Sequence, residues 1–168
     1  VVIASLRDIT PLRRAEAAFL KVQDAWSRRE LWSARAFLSD GMHERLRGQI
    51  RGQAEAGMRD YIRDVKIHAS SVLGYAAGRH YDSINARFKV SAVRARVEEA
   101  SGKVVDGREE EFEEVWTFLR RPGAKTSARA GAFEGFCPSC GAPVSIVDAA
   151  LCAACKTWIN SGEHDWVA

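Results

Sequence analysis

The sequence predicts an α+β fold, in which N-terminal helices pack on a curved antiparallel sheet. Apolar residues recur at steps of three and four over residues 11–57, which is the period of amphipathic helices. Residues 80–119 instead alternate apolar and polar side chains, as half-buried strands do. Helices followed by a run of strands are typical of α+β proteins. We therefore expect the helices to cover one face of the sheet and leave a cone with an apolar interior.

Three helices are predicted before residue 58. Thr10-Pro11 forms an N-cap followed by proline at the first helical position. The first helix carries one apolar stripe, and its largest residue, Trp26, is expected in the core. Gly57 ends the third helix, because glycine readily adopts the left-handed conformation that follows a helix. The predicted helices span residues 11–30, 31–38 and 40–56.

Three long strands follow, over residues 65–73, 80–98 and 112–120. The alternation slips by one residue near Ala92–Val93, which predicts a bulge there. Residues 100–103 form a hairpin turn, and Asp106-Gly107 a second bend. A short fourth strand at Trp166–Val167 is expected to pair with residues 113–119, which would place the cysteine-containing segment inside a hairpin.

All four cysteines lie in two CxxC pairs, Cys137/Cys140 and Cys152/Cys155. Two residues between cysteines let one tight turn aim both sulfurs at a single point, and the glycine after Cys140 supplies a positive φ. Two such turns form a closed four-thiolate site for one structural zinc ion, which leaves no open position for catalysis. Two disulfides or a redox-active pair are the alternatives. The turn-rich sequence, with no βαβ pattern, favours zinc.

The charge is unevenly distributed along the chain. The net charge is +3, but residues 1–66 hold 13 Lys/Arg against 9 Asp/Glu. This excess is either a solvated helical face or a surface for anionic lipid or an acidic partner. Aromatic residues do not interleave with the arginines, so nucleic-acid binding is not expected. The candidate membrane or partner surface comprises Arg13, Arg14, Arg28, Arg29, Arg45, Arg47 and Arg51.

No catalytic motif is recognisable. The four histidines lack the spacing of a catalytic metal site, and the nucleotide-binding and hydrolase motifs are missing. The acidic run at residues 109–114 is expected to be a solvated strand edge rather than paired catalytic carboxylates. A cone-shaped fold could still host an enzyme in its pocket. Polar candidates for such a role are Tyr61, Tyr75, His80, Tyr81 and Asp82, although Tyr61 and Tyr75 are predicted in the core.

Four stretches together resemble bacterial relatives of subunit 44 of the mitochondrial inner-membrane import translocase. They are FLKVQDAWSRRELWSARAFLSD, EVWTFLRRPGAKT, FCPSCGAPV and SGEHDWV, and the resemblance covers roughly residues 12–168. The resemblance implies the cone-shaped fold of nuclear transport factor 2. It also implies a large apolar pocket and a peripheral membrane protein that tethers other proteins. The bacterial relatives are described as lipid-binding transport proteins. The mitochondrial protein lacks a zinc ribbon.

The predicted organisation follows from these elements. An N-terminal extension (1–11) precedes the cone-shaped domain (12–122 with 163–168), and a linker (123–135) leads to a zinc ribbon (136–162) inserted before the last strand. We expect a non-enzymatic module that holds an apolar ligand or partner segment. It would dock at the cytoplasmic side of the bacterial inner membrane, peripherally or through an anchor outside this chain. Expected partners are anionic lipid, a membrane protein complex and further copies of the chain. The alternatives are a scaffolding subunit and a cone-fold enzyme.

Overall fold

The computed structural model describes residues 10–125, 135–144 and 150–168. It confirms the α+β class, with helices packed on a curved three-stranded antiparallel sheet. Most of the predicted N-terminal extension and linker lie outside the described residues. The elements in chain order are α1 (Thr10–Arg28), a 3-10 helix (Leu31–Phe37), α2 (Asp40–Glu55), β1 (Met58–Ala76), β2 (Asp82–Glu98) and β3 (Val104–Arg120).

Helix α1 supplies the helical half of the core. Its buried stripe follows the three-and-four spacing seen in the sequence and comprises Ala15, Ala18, Phe19, Val22 and Ala25. The Phe19 ring lies 4.7 Å from that of Phe88 on β2 and 5.1 Å from that of Trp116 on β3, measured between centroids. Trp26 is only half-buried, at the end of this stripe, so it is not the core residue that the sequence predicts.

The sheet is a meander in which β2 lies between β1 and β3. Even-numbered residues of β2 from Ile84 to Val90 are buried against the helices. Strand β1 begins at Met58, earlier than predicted, and its first residues contact the end of α1, where Arg59 donates to Ser27 O at 2.8 Å. The Ile62 N–H donates to Ser27 Oγ, which donates to Ile62 O, both at 2.8 Å. The other end of β1 extends beyond the core, where Tyr75 is 58% exposed, so its prediction as a core residue is wrong.

The irregularity expected near Ala92–Val93 lies on the neighbouring strand. Strand β2 stays in register with β3 through these residues. Strand β1 instead carries an extra residue opposite them, and Asp64 there has φ of 54°. The slip in the β2 pattern therefore does not mark a bulge in β2. It marks the point at which the inner face of the sheet changes from apolar to charged residues.

The segment Trp166–Ala168 connects the sheet to the helices. Leu119 and Val167 exchange two backbone hydrogen bonds, with N···O distances of 2.8 and 3.0 Å. On the other side, the Ala168 N–H donates to Phe37 O at 2.8 Å and the Ser39 N–H donates to Ala168 O at 2.6 Å. The pairing with β3 is a single bridge at Leu119, which is shorter than the strand predicted along residues 113–119.

Trp166 fills the space between these two contacts. Its side chain is 2% exposed, and the Arg120 guanidinium lies 4.3 Å above the centre of its ring system. Next to it, Asp165 forms a largely buried ion pair with Arg14, with Nε and Oδ2 3.3 Å apart. These contacts make Trp166 the anchor of the segment.

We expect Trp166→Ala to lower the free energy of unfolding by about 3–5 kcal/mol, because it leaves a large cavity in a closed part of the core. Urea denaturation followed by far-UV circular dichroism measures this change. Trp32→Ala is the matched control, since Trp32 is 55% exposed, and it should cost less than about 1 kcal/mol. Equal losses in the two variants would contradict the anchoring role.

Candidate functional site

The four cysteines lie on two turns with the same backbone geometry. In the first, the Cys137 N–H donates to Ala142 O and the Gly141 N–H to Cys137 O, both at 2.8 Å. In the second, Cys152 and Lys156 make the equivalent bonds at 2.9 and 3.0 Å. The φ angles at Gly141 and Lys156 are 75° and 62°, so the positive φ predicted after the first pair recurs after the second at a lysine.

These turns bring the four sulfurs into one cluster. All four lie within 4.8 Å of one another. The Cys137–Cys155 and Cys140–Cys152 Sγ···Sγ distances are 3.7 and 3.8 Å. A tetrahedron with metal–sulfur bonds of about 2.3 Å has edges of about 3.8 Å. The cluster is therefore a potential metal-binding site. The four thiols are free, so the disulfide alternative is not what the structure contains.

The electrostatics of the cluster also suit a cation. Hydrogen bonds from Thr157 lower the pKa of the Cys155 thiol to about 6. A backbone hydrogen bond from Ala142 favours the Cys140 thiolate. Hydrogen bonding to the other three sulfurs and burial outweigh the effect of Ala142, and together they raise the pKa of the Cys140 thiol to about 11. Four adjacent thiolates repel one another, so full ionisation of this set requires a positive charge among them.

A groove of about 1080 Å³ lies between α1, α2 and the inner face of the sheet. Helix α2 has no fully buried residue, and its Met42 and Leu46 side chains pack partly buried against the core while they line this space. The groove continues to the edge of β3, where Glu113 and Val115 also line it. Its apolar lining comprises Val22, Trp26, Met42, Leu46, Tyr61, Ile62, Val115 and Trp116.

The rest of the groove lining is polar and mostly charged, whereas the sequence predicts an apolar interior. Arg94 pairs with Glu110 and Glu114, at N···O distances of 3.0 and 3.3 Å. Arg96 donates two hydrogen bonds to Asp60, and these hold the pKa of the Asp60 carboxyl below its usual value. A carboxyl held ionised in this way is a poor general acid at neutral pH.

Sequence reasoning missed these charged groove residues. The signal that could have revealed them is the alternation itself. Arg94 and Arg96 have the same parity as the buried residues of β2 and therefore share their face.

The predicted arginine surface divides into structural and exposed residues. Arg14 is buried against Asp165, with its guanidinium 4.4 Å from the centre of the Phe37 ring. Arg29 donates to Met58 O at 2.8 Å and pairs with Glu99. Both guanidinium groups therefore have partners within the fold.

The other five predicted arginines are exposed. Arg28 pairs with Asp24 at 2.9 Å, within α1. On α2, Arg47 pairs with Glu44 at 2.9 Å. The exposed arginines are Arg13 and Arg28 on α1, and Arg45, Arg47 and Arg51 on α2.

The polar residues considered for an enzyme do not converge. Tyr61 pairs with Ala95 and lines the groove. Tyr75, His80, Tyr81 and Asp82 lie around the turn between β1 and β2, at the other end of the sheet. Two separate groups of this kind do not form one acid–base site.

Three comparisons with known proteins complete these observations. A family model described as the Tim44-like domain matches residues 11–128, which, within the described part of the chain, contain the helices and strands named above except Thr10, but not the cysteines. No curated protein matches the chain. Among solved structures, the intermembrane space region of the chloroplast protein ARC6 is similar, with a TM-score of 0.43 and 14% identity. That similarity covers 66% of this chain and 87% of the other. Among the described residues, no helix has the length and apolar character of a membrane span.

Proposed function

The chain belongs to the Tim44-like domain family, and from that premise we propose that it is a non-enzymatic, peripheral membrane module. Domains of this family are membrane-associated protein-interaction modules. The proposed role is to hold an apolar ligand, or an apolar segment of a partner protein, in the groove beneath α2. The proposed location is the cytoplasmic side of a bacterial inner membrane.

The groove is the observation that carries this proposal. Leu46 on α2 and Trp26 on α1 face Trp116 on β3 across it, and each is only partly buried. Covering such side chains contributes roughly 25 cal/mol per Å² of apolar area removed from water. The charges of Arg94 and Arg96 are already paired with carboxylates, so an uncharged occupant does not have to supply their partners.

The exposed arginines of α2 support attachment to an anionic membrane. Arg45, Arg47 and Arg51 are exposed within two turns of one helix; Arg47 and Arg51 share one face, and Arg45 lies beside the groove. Each basic residue near an anionic surface contributes about 1 kcal/mol to binding. Arg13 and Arg28 on α1 are exposed as well and could add to this attachment.

We also propose that Cys137, Cys140, Cys152 and Cys155 bind one structural zinc ion. The near-tetrahedral sulfur spacing supports this ion, and a site with four protein ligands leaves no open position for catalysis. The proposed ribbon, residues 136–162, would be an insertion in the cone-shaped domain. The pairing of Leu119 with Val167 across this insertion supports that division.

A scaffolding subunit is the second candidate, because one observation specifically favours it. A recess of about 530 Å³ opens beside the cysteine region and is lined by Leu20, Trp32, Gly135 and Val144. Leu20 and Trp32 are 41% and 55% exposed. Exposed tryptophan at the join of two chain regions is typical of a protein contact.

Fluorescence titration with a labelled fatty acid tests the groove. Leu46→Glu should weaken binding at least tenfold, because a charge replaces an apolar contact on the groove wall. Leu73→Glu is the matched control, since Leu73 is 52% exposed on β1 and does not line the groove. Equal binding by the two variants, or no binding by the unaltered protein, would count against the groove.

Vesicle sedimentation tests the membrane surface. Replacing Arg45, Arg47 and Arg51 with Gln should weaken binding to anionic vesicles on the order of 100-fold at low salt, since three charges are lost. The control removes the same charge from β1 and its following turn, by changing Arg63, Lys66 and Arg79 to Gln. The proposal fails if both variants lose affinity equally, or if neutral vesicles bind as well as anionic ones.

Metal analysis tests the cysteine cluster. Cys152→Ser should reduce zinc from one ion per chain to none. It should also lower the urea midpoint, because Cys137, Cys152 and Ile159 pack in the same core cluster as α1. Ser139→Ala changes an exposed position on the first turn and should leave the zinc content and the urea midpoint unchanged. Full zinc content in Cys152→Ser would show that the four sulfurs do not form the site.

A further inference from the structure

Strand β3 has a long edge without a strand partner among the described residues. Strand β2 covers one side of it, and Val167 pairs with the other side only at Leu119. Backbone N–H and C=O groups along such an edge can pair with an added strand. The remaining edge, from residue 107 to 117, is long enough for a segment of about ten residues.

The Leu119–Val167 pair identifies the backbone groups that face this edge. Leu119 exchanges both of its hydrogen bonds with Val167, so its N–H and C=O point away from β2. Alternate residues of a strand direct these groups to the same side, and the β2–β3 register is unshifted from Asp106 to Arg120. The residues that present N–H and C=O at the free edge are therefore Gly107, Glu109, Glu111, Glu113, Val115 and Thr117.

Three of these residues place carboxylates in a row on the outer face of the sheet. Glu109, Glu111 and Glu113 are all exposed and, at two-residue spacing, repeat about every 6.8 Å. Glu113 pairs with Lys89 at 3.1 Å. Glu109 and Glu111 make no ion pair with any described residue. An added strand with basic residues at every second position would place each of them beside a carboxylate.

The inner face at the same edge opens into the groove. Phe112 and Trp116 lie on that face, and Trp116 lines the groove together with Leu46 and Trp26. Side chains of an added strand alternate between the two faces. Those that do not meet the glutamates would enter the groove, where apolar contacts are available.

We propose that the β3 edge from Gly107 to Thr117 binds an extended partner segment in which basic and apolar residues alternate. This inference rests on the proposed protein-binding function and specifies the chemistry of the partner. A second copy of the chain is a poor occupant, because antiparallel pairing of two such edges would oppose glutamate to glutamate.

The test uses an acetylated, amidated peptide of four lysines alternating with three valines, labelled for fluorescence anisotropy. One version is N-methylated at the lysines and another at the valines. In an added strand only one alternate set of N–H groups bonds to β3, so one version should lose binding and the other should retain it. Loss in both versions, or in neither, would overturn strand addition.

Charge reversal of the edge provides the second measurement. Replacing Glu109 and Glu111 with Lys should weaken peptide binding at least tenfold. The control, Glu55 and Glu163 to Lys, makes the same charge change at exposed sites away from the edge and should bind as the unaltered protein does. Equal affinities in the two variants would overturn the proposal, as would a dimer of the unaltered protein that the edge reversal dissociates. The assay contains no vesicles or fatty acid, so its failure is separate from that of the groove and membrane proposals.

Discussion

One antiparallel bridge to Leu119 and two backbone hydrogen bonds, to Phe37 and Ser39, hold the segment Trp166–Ala168 between the end of β3 and the junction of the 3-10 helix with α2. The same junction receives a side chain from the cysteine region, because the Asn160 Nδ2 donates to Leu38 O at 2.9 Å and to Asp40 at 3.2 Å. Arg35, which is buried, also donates to Leu38 O. The sheet, the cysteine region and the helices therefore meet at Phe37, Leu38 and Ser39, the three residues before α2.

Helix α2 is held by this junction as well as by its partly buried Met42 and Leu46 side chains. None of its residues is fully buried, and its first turn is fixed by Ser39, whose Oγ accepts from the Met42 N–H at 3.3 Å. Asn160 follows Ile159, whose N–H donates to Ala150 O beside the second cysteine turn. Asn160 therefore links the second cysteine turn to the start of α2.

Local sequence patterns predicted the structural elements that depend on nearby residues. They did not predict side-chain contacts with residues that are distant in the sequence. The spacing of the apolar residues was sufficient to predict α1, and the CxxC spacing was sufficient to predict the sulfur cluster. The ion pairs of Arg14 and Arg29 were not predicted, because their partners, Asp165 and Glu99, lie far away in the sequence. The prediction that Tyr75 lies in the core was wrong for a related reason, because a strand pattern does not show where the helices stop covering the sheet.

The extent of that cover also explains the charged interior. Helix α1 packs on β2 as far as Val90, and beyond Ala92 the inner face carries Arg94 and Arg96. An uncovered apolar face beyond Ala92 would favour aggregation. Ion pairs of Arg94 and Arg96 occupy that part of the inner face instead. The groove lies between these ion pairs and α2. The glutamates of the β3 edge oppose self-association in the same way. The same negative charges would select a basic strand, so a single feature can both keep the edge free of its own copies and choose its partner.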